Sequence, residues 1–346
     1  SPAFARWAER LWRRPLAYGA AATAILVALA LPALGLDTGM PSIKVVPAGD
    51  GSRVGYAQVQ QAFGPGAPGT LQVVAPAGEA QQAAAVLEGD PGIASVAPPL
   101  ERDGRTLLLA VPAADPSDPA VGETIERLRG ALPAETLLGG AAAENHDLEE
   151  ALASRTLPVF AVVLALGFLL LLVALQAPLI AAAGVVTNLL ATAAAFGVGR
   201  LIFQEGTLEG LLGFESQGFL NAWGPVFFFA MIFAISMDYT VFLLSSAKEH
   251  WDRSGDAREA MVGGLAHSGR VIFAAAGVMV AVFFTFALSG PLPPKEMGVI
   301  LGVAVLLDAM LIRLVLMPVL LRLLGPAAWA LPRWLDRVLP DVRFGH

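Results

Sequence analysis

The sequence predicts an α-helical membrane protein of six transmembrane helices, with an extracytoplasmic α+β domain inserted between the first helix and the other five. Three observations carry that reading. The 346 residues are 56% hydrophobic and 15% charged, whereas a soluble domain keeps roughly a quarter of its residues charged. Six apolar runs reach the length of about 17–25 residues that a helix needs to cross the hydrocarbon core. All six tryptophans flank those runs, as side chains of an interfacial aromatic belt do, and the inserted segment has none.

The runs cover residues 16–36, 157–175, 179–202, 225–244, 271–289 and 298–321. Only Gln176, Ala177 and Pro178 separate the second from the third, and the proline ends the helix there, so the two form a tight hairpin. The first run is too long for a signal-peptide core, and no A-x-A-like site follows it. Ser1 in place of Met marks the amino terminus as processed, trimmed or a boundary.

Orientation follows from the short basic segments. Arg6, Arg10, Arg13 and Arg14 precede the first run; Lys248, Arg253, Arg258 and Arg270 lie between the fourth and fifth; Arg322, Arg333, Arg337 and Arg343 follow the sixth. Six crossings place these clusters on one side, which the positive-inside rule makes cytoplasmic, with both termini there. The short loop 290–296 on the other side has Lys295 as its one basic residue. Within the cytoplasmic loop, 248–251 and 257–265 read as a helix lying on the membrane surface. The expected division is 1–36, 37–156, 157–325 and a cytoplasmic tail 326–346, in the inner (plasma) membrane.

In the inserted segment long apolar runs give way to short alternating elements. Residues 70–74 read as a strand, 79–87 as a helix, 93–97 and 106–111 as strands joined through the polar turn 101–104, 119–132 as an amphipathic helix, and 135–139 as a last strand. The order β-α-β-β-α-β is that of a ferredoxin-like unit. Residues 145–154 look helical and continue toward the second span.

Composition excludes several functions. A net charge of -7 without a basic tract argues against nucleic acid as a partner. The absence of cysteine removes disulfides, a thiol nucleophile and any thiolate-ligated metal. No Ser/His/Asp arrangement, phosphate-binding glycine loop or HExxH lies within a span, so neither an enzyme activity nor a cofactor is indicated. His146 with Asp147, Glu149 and Glu150 has the composition of a metal patch but reads as a solvated helix face. His250 and His267 fall in the cytoplasmic loop.

Ionisable groups cost about 2.5–3.5 kcal/mol each at the centre of a spanning helix, so those retained there are functional candidates. Three lie deep: Asp238, Asp308 and Arg313. Arg200, near a helix end, snorkels to the interface. Asp238 sits about six residues, roughly 9 Å, from the cytoplasmic end of the fourth span. Neighbouring helix residues diverge, so Asp238 and Tyr239 each need a partner on another helix. Such a carboxyl can exchange a proton; the alternative is a neutral, hydrogen-bonded packing residue. Asp308 and Arg313 are five apart, which on an α-helix places them on diverging faces and argues against a salt bridge between them. Asp308 is then either a second relay group or a partner that holds Asp238.

Ser236-Met-Asp-Tyr-Thr-Val-Phe-Leu-Leu-Ser245, Leu307-Asp-Ala-Met-Leu-Ile-Arg313 with Met317-Pro318, and Trp329-Ala-Leu-Pro-Arg-Trp-Leu-Asp336 resemble one half of an RND-superfamily exporter of the MMPL (mycobacterial membrane protein large) family. The Ser-Met-Asp-Tyr wording is most similar to the family's second half. The resemblance covers essentially the whole chain and implies a porter-type inserted domain and proton-driven export of lipids or other hydrophobic compounds. It makes Asp238 the proton-binding carboxylate and Tyr239 its partner across the two halves, with Asp308 and Arg313 near that relay. Family members carry two such halves and this chain carries one, so a second half, or a second copy, is an expected partner. The Ala/Gly/Arg/Pro bias is that of a GC-rich bacterial genome and leans toward an actinobacterial envelope. The competing reading is a lipid-sensing or assembly membrane protein of the same architecture, against which stand the three intramembrane charges.

Overall fold

The computed structural model describes residues 1–337 and 339; Arg343 of the third basic cluster lies outside them. Helix α1 (Pro2–Arg13) is amphipathic and buries Ala8 and Leu11. The chain breaks at Arg14, and Pro15, at a first helical turn where its missing N–H costs nothing, starts α2 (Pro15–Ala30), which tightens into a 3₁₀ turn at Leu31–Gly35. The inserted segment opens with β1 (Thr38–Gly39) and α3 (Gly51–Phe63), whose first turn is capped by the Asp50 carboxylate accepting from Ser52 N–H at 2.8 Å.

There follow β2 (Leu71–Pro76), α4 (Ala80–Gly89), β3 (Ile93–Val96), β4 (Leu100–Arg102), β5 (Arg105–Pro112), α5 (Pro119–Ala131) and β6 (Leu137–Gly139). The main path of the sheet runs β3-β5-β2-β6, every pairing antiparallel, with β4 folded back on β5. Thr106, Leu108, Ala110 and Pro112 alternate inward along β5, as the two-residue period of a one-sided strand requires. They meet Ala83 and Leu87 of α4 and Val121, Ile125 and Leu128 of α5 in a core separate from that of the spans. Absent from the sequence reading of the inserted segment are the two-residue β1, α3, with two glycines and a polar face, and β4, whose three residues are all exposed.

Beyond the sheet, α6 (Ala141–Leu175) is one 35-residue helix. The expected helix at 145–154 and the second span are thus a single rod, with Pro158 inside it. Gln176 takes a left-handed conformation, φ 51°, and Pro178 starts α7 (Pro178–Gly199), which ends in a π-helical segment at Arg200–Gln204. Between the third and fourth spans lie α8 (Glu209–Leu212) and β7 (Leu220–Asn221), the latter pairing in parallel with β1. The chain closes with α9 (Gly224–Ser254), α10 (Ala257–Phe286), α11 (Leu292–Leu307), a π-helical segment at Asp308–Leu316, α12 (Met317–Leu324), a 3₁₀ turn and α13 (Arg333–Asp336).

Six helices are long and apolar enough to cross a membrane: Pro15–Gly35, Ala141–Leu175, Pro178–Gln204, Gly224–Ser254, Ala257–Phe286 and Leu292–Trp329. The chain is a multi-pass membrane protein. The third and sixth spans are the most enclosed, and the first, second and fifth lie at the periphery. Two expectations need correction. Residues 248–251 and 257–265 form no surface helix: they are the ends of α9 and α10, kept helical by Lys248–Asp252 and Arg253–Glu249 pairs and joined through Gly255, φ 65°, and the Asp256 cap. The sixth span begins at Leu292, so Lys295 and Glu296, expected in a loop, are inside a helix and buried.

The amino terminus packs beneath the bundle. Helix α1 lies against α10 and α12, with Trp7 Nε1 donating to Leu314 O at 2.7 Å, the Ser1 ammonium to Ala266 O at 2.7 Å, and Arg258 pairing with Glu9. Arg322 covers the Trp12 ring at 4.2 Å, and Trp251 stacks on Trp329. The three basic clusters therefore gather at one end. At the other end, Glu215 in the loop between the third and fourth spans holds Lys44, at 3.1 Å, and Arg53 of α3. Those hydrogen bonds, Arg53 first and then Lys44, hold the Glu215 carboxyl below the usual carboxylate range.

Two outcomes follow. A Cβ on Gly197 would stand 1.9 Å from Leu29 O, so Gly197→Ala must force α7 off α2. A loss of about 1–3 kcal/mol is expected in thermal unfolding in detergent, with Gly277→Ala, which meets open space, as the neutral control. Because the folded Glu215 carboxyl is the stronger acid, its tether is intact at neutral pH and lost as pH falls through its lowered value. Protection of the α3 amides, taken relative to intrinsic exchange at each pH, should fall on acidification, and Glu215→Gln should reproduce that loss at neutral pH.

Candidate functional site

The fourth span supplies the inner wall of a polar centre. Ser236 and Thr240, one helical turn apart, share a face of α9 that points at α7 and the sixth span, and both are buried. From α7 comes Asn188, 1% exposed, with Thr187 next to it in sequence and Thr192 one turn on, both buried. From the π-helical segment of the sixth span come Asp308 and Arg313. These are polar residues inside an otherwise apolar cluster, and they meet each other.

Arg313 is the hub. Its side chain is 0% exposed. Nε donates to Asp308 Oδ2 at 3.0 Å, Nη1 donates to Thr240 Oγ1, and Nη2 donates to Ser236 Oγ at 2.7 Å, to the Ser236 carbonyl and to Asn188 Oδ1 at 3.3 Å. Ser236 Oγ in turn donates to Asn188 Oδ1 at 2.7 Å, and Asn188 Nδ2 reaches Thr240 Oγ1 and the Met237 sulfur. Three spans are thus pinned to one guanidinium. Asp308 Oδ1, buried, accepts from no donor.

The expectation that Asp308 and Arg313 diverge is overturned. Five residues on an α-helix turn through about 500°, leaving the two about 140° apart. Over Asp308–Leu316 the winding is wider, with i→i+5 bonding, and residues five apart come nearly into line. The salt bridge, 3.0 Å, is a product of that irregularity. No propensity in Asp308-Ala-Met-Leu-Ile-Arg313 announces it. Asn188, Ser236 and Thr240 escaped the sequence reading; the one-turn Ser236/Thr240 spacing and a lone Asn in an apolar run are the signals that could have found them.

Asp238 is not in this centre. It lies two residues, about 200° of helical turn, from Ser236, and is exposed on the outer surface of α9. Among the described residues no hydrogen bond or ion pair holds it. Tyr239, half-buried, stands between the two environments, within electrostatic reach of Asp308, Asp238 and Arg313. Of the two readings of Asp308, a second relay group or a partner that holds Asp238, the second is not met: Asp308 pairs with Arg313. Two further buried ionisable groups, Lys295 and Glu296, stand at the opposite end of the sixth span from α12. Arg200 bonds Pro32 O at 3.2 Å and Glu205 at 3.0 Å at the end of the third span.

Elsewhere, Glu126, His146 and Glu150 bring ligand atoms within 4.8 Å of one another on the inserted unit. His146 lies 3.1 Å from Glu126, while Asp147 pairs with Arg129. This is an ion-paired surface patch, its two glutamates exposed.

The sequence matches the model of the MMPL family over residues 57–342. The chain belongs to the MMPL family. Its MMPL relatives include the heme uptake protein MmpL11 of Mycobacterium tuberculosis, 35% identical over 99% of this chain and 37% of that protein. The mycolic acid-containing lipids exporter MmpL11 of Mycolicibacterium smegmatis is 35% identical over 98% of this chain and 38% of its own length. Membrane protein YdfJ of Bacillus subtilis is 30% identical over 98% of this chain and 49% of its own. This MMPL chain thus spans between about a third and a half of the curated relatives it matches.

Removing the guanidinium leaves Asp308 unpaired among apolar helices. Arg313→Leu is expected to cost about 3–5 kcal/mol, read as lost folded protein in detergent melts. Adding Asp308→Leu should recover much of that loss, because no lone charge remains. A double variant no more stable than Arg313→Leu would overturn the pairing.

Proposed function

We propose that this chain is one half of a proton-motive-force-driven MMPL exporter for lipids or other hydrophobic compounds: a transporter rather than an enzyme. The observation that carries the proposal is the placement of Asp238, an ionisable side chain on a spanning helix left exposed and unpartnered on the surface of the half-bundle. A carboxylate facing hydrocarbon is costly and calls for a partner. A second half packed on that face supplies one. Asp238 then binds the transported proton against the other half's tyrosine, and Tyr239 serves the other half's carboxylate in return. The Asp308–Arg313 network behind Tyr239 fixes the charge that the proton displaces or restores, with Asp308 Oδ1 free to accept a hydrogen bond.

The inserted unit fits a porter-type, ferredoxin-like domain: its strand order β3-β5-β2-β6, antiparallel throughout, with α4 and α5 packed together in its core, supports that reading. The gathering of the basic clusters around α1 favours cytoplasmic termini in the inner membrane and an extracytoplasmic sheet. Among the relatives, one is named a heme uptake protein and another an exporter of mycolic acid-containing lipids, names that favour a lipid or other hydrophobic substrate.

Asp238→Asn, tested in the polypeptide that carries this chain in the cell, should abolish export while leaving insertion and melting temperature unchanged. Full activity of that variant in a cell-based export assay would sink the relay.

A further inference from the structure

At the end of the sixth span remote from α12, Glu296 is 0% exposed, on α11. It meets Asn221 of β7, also 0% exposed. Asn221 Nδ2 donates to Glu296 Oε2 at 2.6 Å, while Glu296 Oε1 and Asn221 Oδ1 are both buried and both lack a donor. A carboxylate and an amide joined by a single bond always leave this remainder: two acceptors and nothing between them. Each buried acceptor left unmade costs about 1–3 kcal/mol. One proton on Glu296 removes both deficits, because a carboxylic acid and a primary amide pair through two parallel bonds, O–H to Oδ1 and Nδ2–H to the other carboxyl oxygen.

Among the described residues no basic side chain is placed to do the same. Lys295, next along α11, gives its ammonium to the Leu212 carbonyl at 2.5 Å and to the Ala287 carbonyl at 3.5 Å. On the elements around this end of α11, Lys44 and Arg53 are held by Glu215, and Arg200 at the end of the third span by Glu205. The charged residues of α9 and α10 (Asp238, Lys248–Asp256, Arg258, Glu259, His267 and Arg270) lie farther toward the opposite end of the bundle. Asp308 and Arg313 pair with each other a dozen residues along the span. Glu296 is thus left with an amide and no counter-charge.

We propose that Glu296 and Asn221 form a proton-binding site at this mouth of the bundle, with Glu296 carrying the proton and Asn221 reading its presence. The proton enters from the aqueous side and leaves the same way, with no bond made or broken beyond the O–H. Asn221 lies in the strand that pairs with β1, where the chain passes from the first span into the inserted unit. The protonated pair therefore fastens α11 to the base of that unit, and loss of the proton removes the bond made through Asn221 Oδ1. The inference does not rest on the relay at Asp238, nor on the chain being an exporter.

The test is infrared difference spectroscopy of the full chain in lipid vesicles at neutral pH, with melting followed in parallel from mildly acidic to mildly alkaline buffer. The expected result is a protonated carboxylic C=O band that disappears in Glu296→Gln, persists in Asp238→Asn and Asp308→Asn, and moves to higher frequency in Asn221→Ala. Because the satisfied form is the protonated one, the melting temperature of the unaltered chain should fall as pH rises. Glu296→Gln, whose amide makes the same two bonds, should flatten that dependence. No band assignable to Glu296, or a melting temperature that rises with added sodium instead of with protons, would overturn the proposal; the unaltered chain supplies both readings even where a variant fails to fold.

Discussion

A guanidinium does not shed its proton inside a membrane, so everything around Arg313 has to be arranged to receive its hydrogen bonds. That one constraint reaches far. It requires acceptors on α7 and α9 at fixed depth, which Asn188, Ser236 and Thr240 provide, and a counter-charge on its own helix, which Asp308 provides only because the helix widens there. The third, fourth and sixth spans cannot slide past each other without breaking these bonds in a medium that offers no water to replace them. Apolar packing fills the rest of the bundle, yet it tolerates many registers; the polar centre selects one.

What the sequence made legible divides along the same line. Span number and the strand-helix sequence of the inserted unit were readable because each rests on a local period: long apolar runs for the spans, alternation for β5, a one-sided face for α5. The helix at Asn145 running into the second span was readable for the same reason. The limits of α9, α10 and α11 were not, since charge at a helix end reads as loop although ion pairs and caps keep it helical. Lys295 and Glu296 were assigned to a loop on that ground, and their burial depends on the segment around α8 and β7 folding over them.

The site shows a sharper contrast. The residue types in Asp238, Tyr239, Asp308 and Arg313 stood out at once, because ionisable groups are rare in apolar helices. Their arrangement did not. It depends on a π-helical winding with no composition of its own, and on which side of α9 faces inward, a question that Ser236 and Thr240 answered better than the charges did. Those three deep charges are of two kinds: Asp308 and Arg313 pair within the bundle, and one carboxyl, Asp238, is exposed on its surface.

Helix α6 belongs at once to the inserted unit and to the membrane. At 1.5 Å a residue, the stretch from Ala141 to Pro158 is an arm roughly 25 Å long. Its inner end is seated beside the sheet, where Ala142 and Ala143 are buried in the small core, and its fulcrum is the proline, which lacks the N–H that would brace the turn. A bend of about 20° at such a proline carries the far end through roughly 9 Å, far more than side chains in the bundle can move. Pro158 is therefore the least braced turn on the rod that joins the sheet to the membrane half, and the Glu215 pairs and the β1–β7 pairing are what hold the sheet against a swing about it.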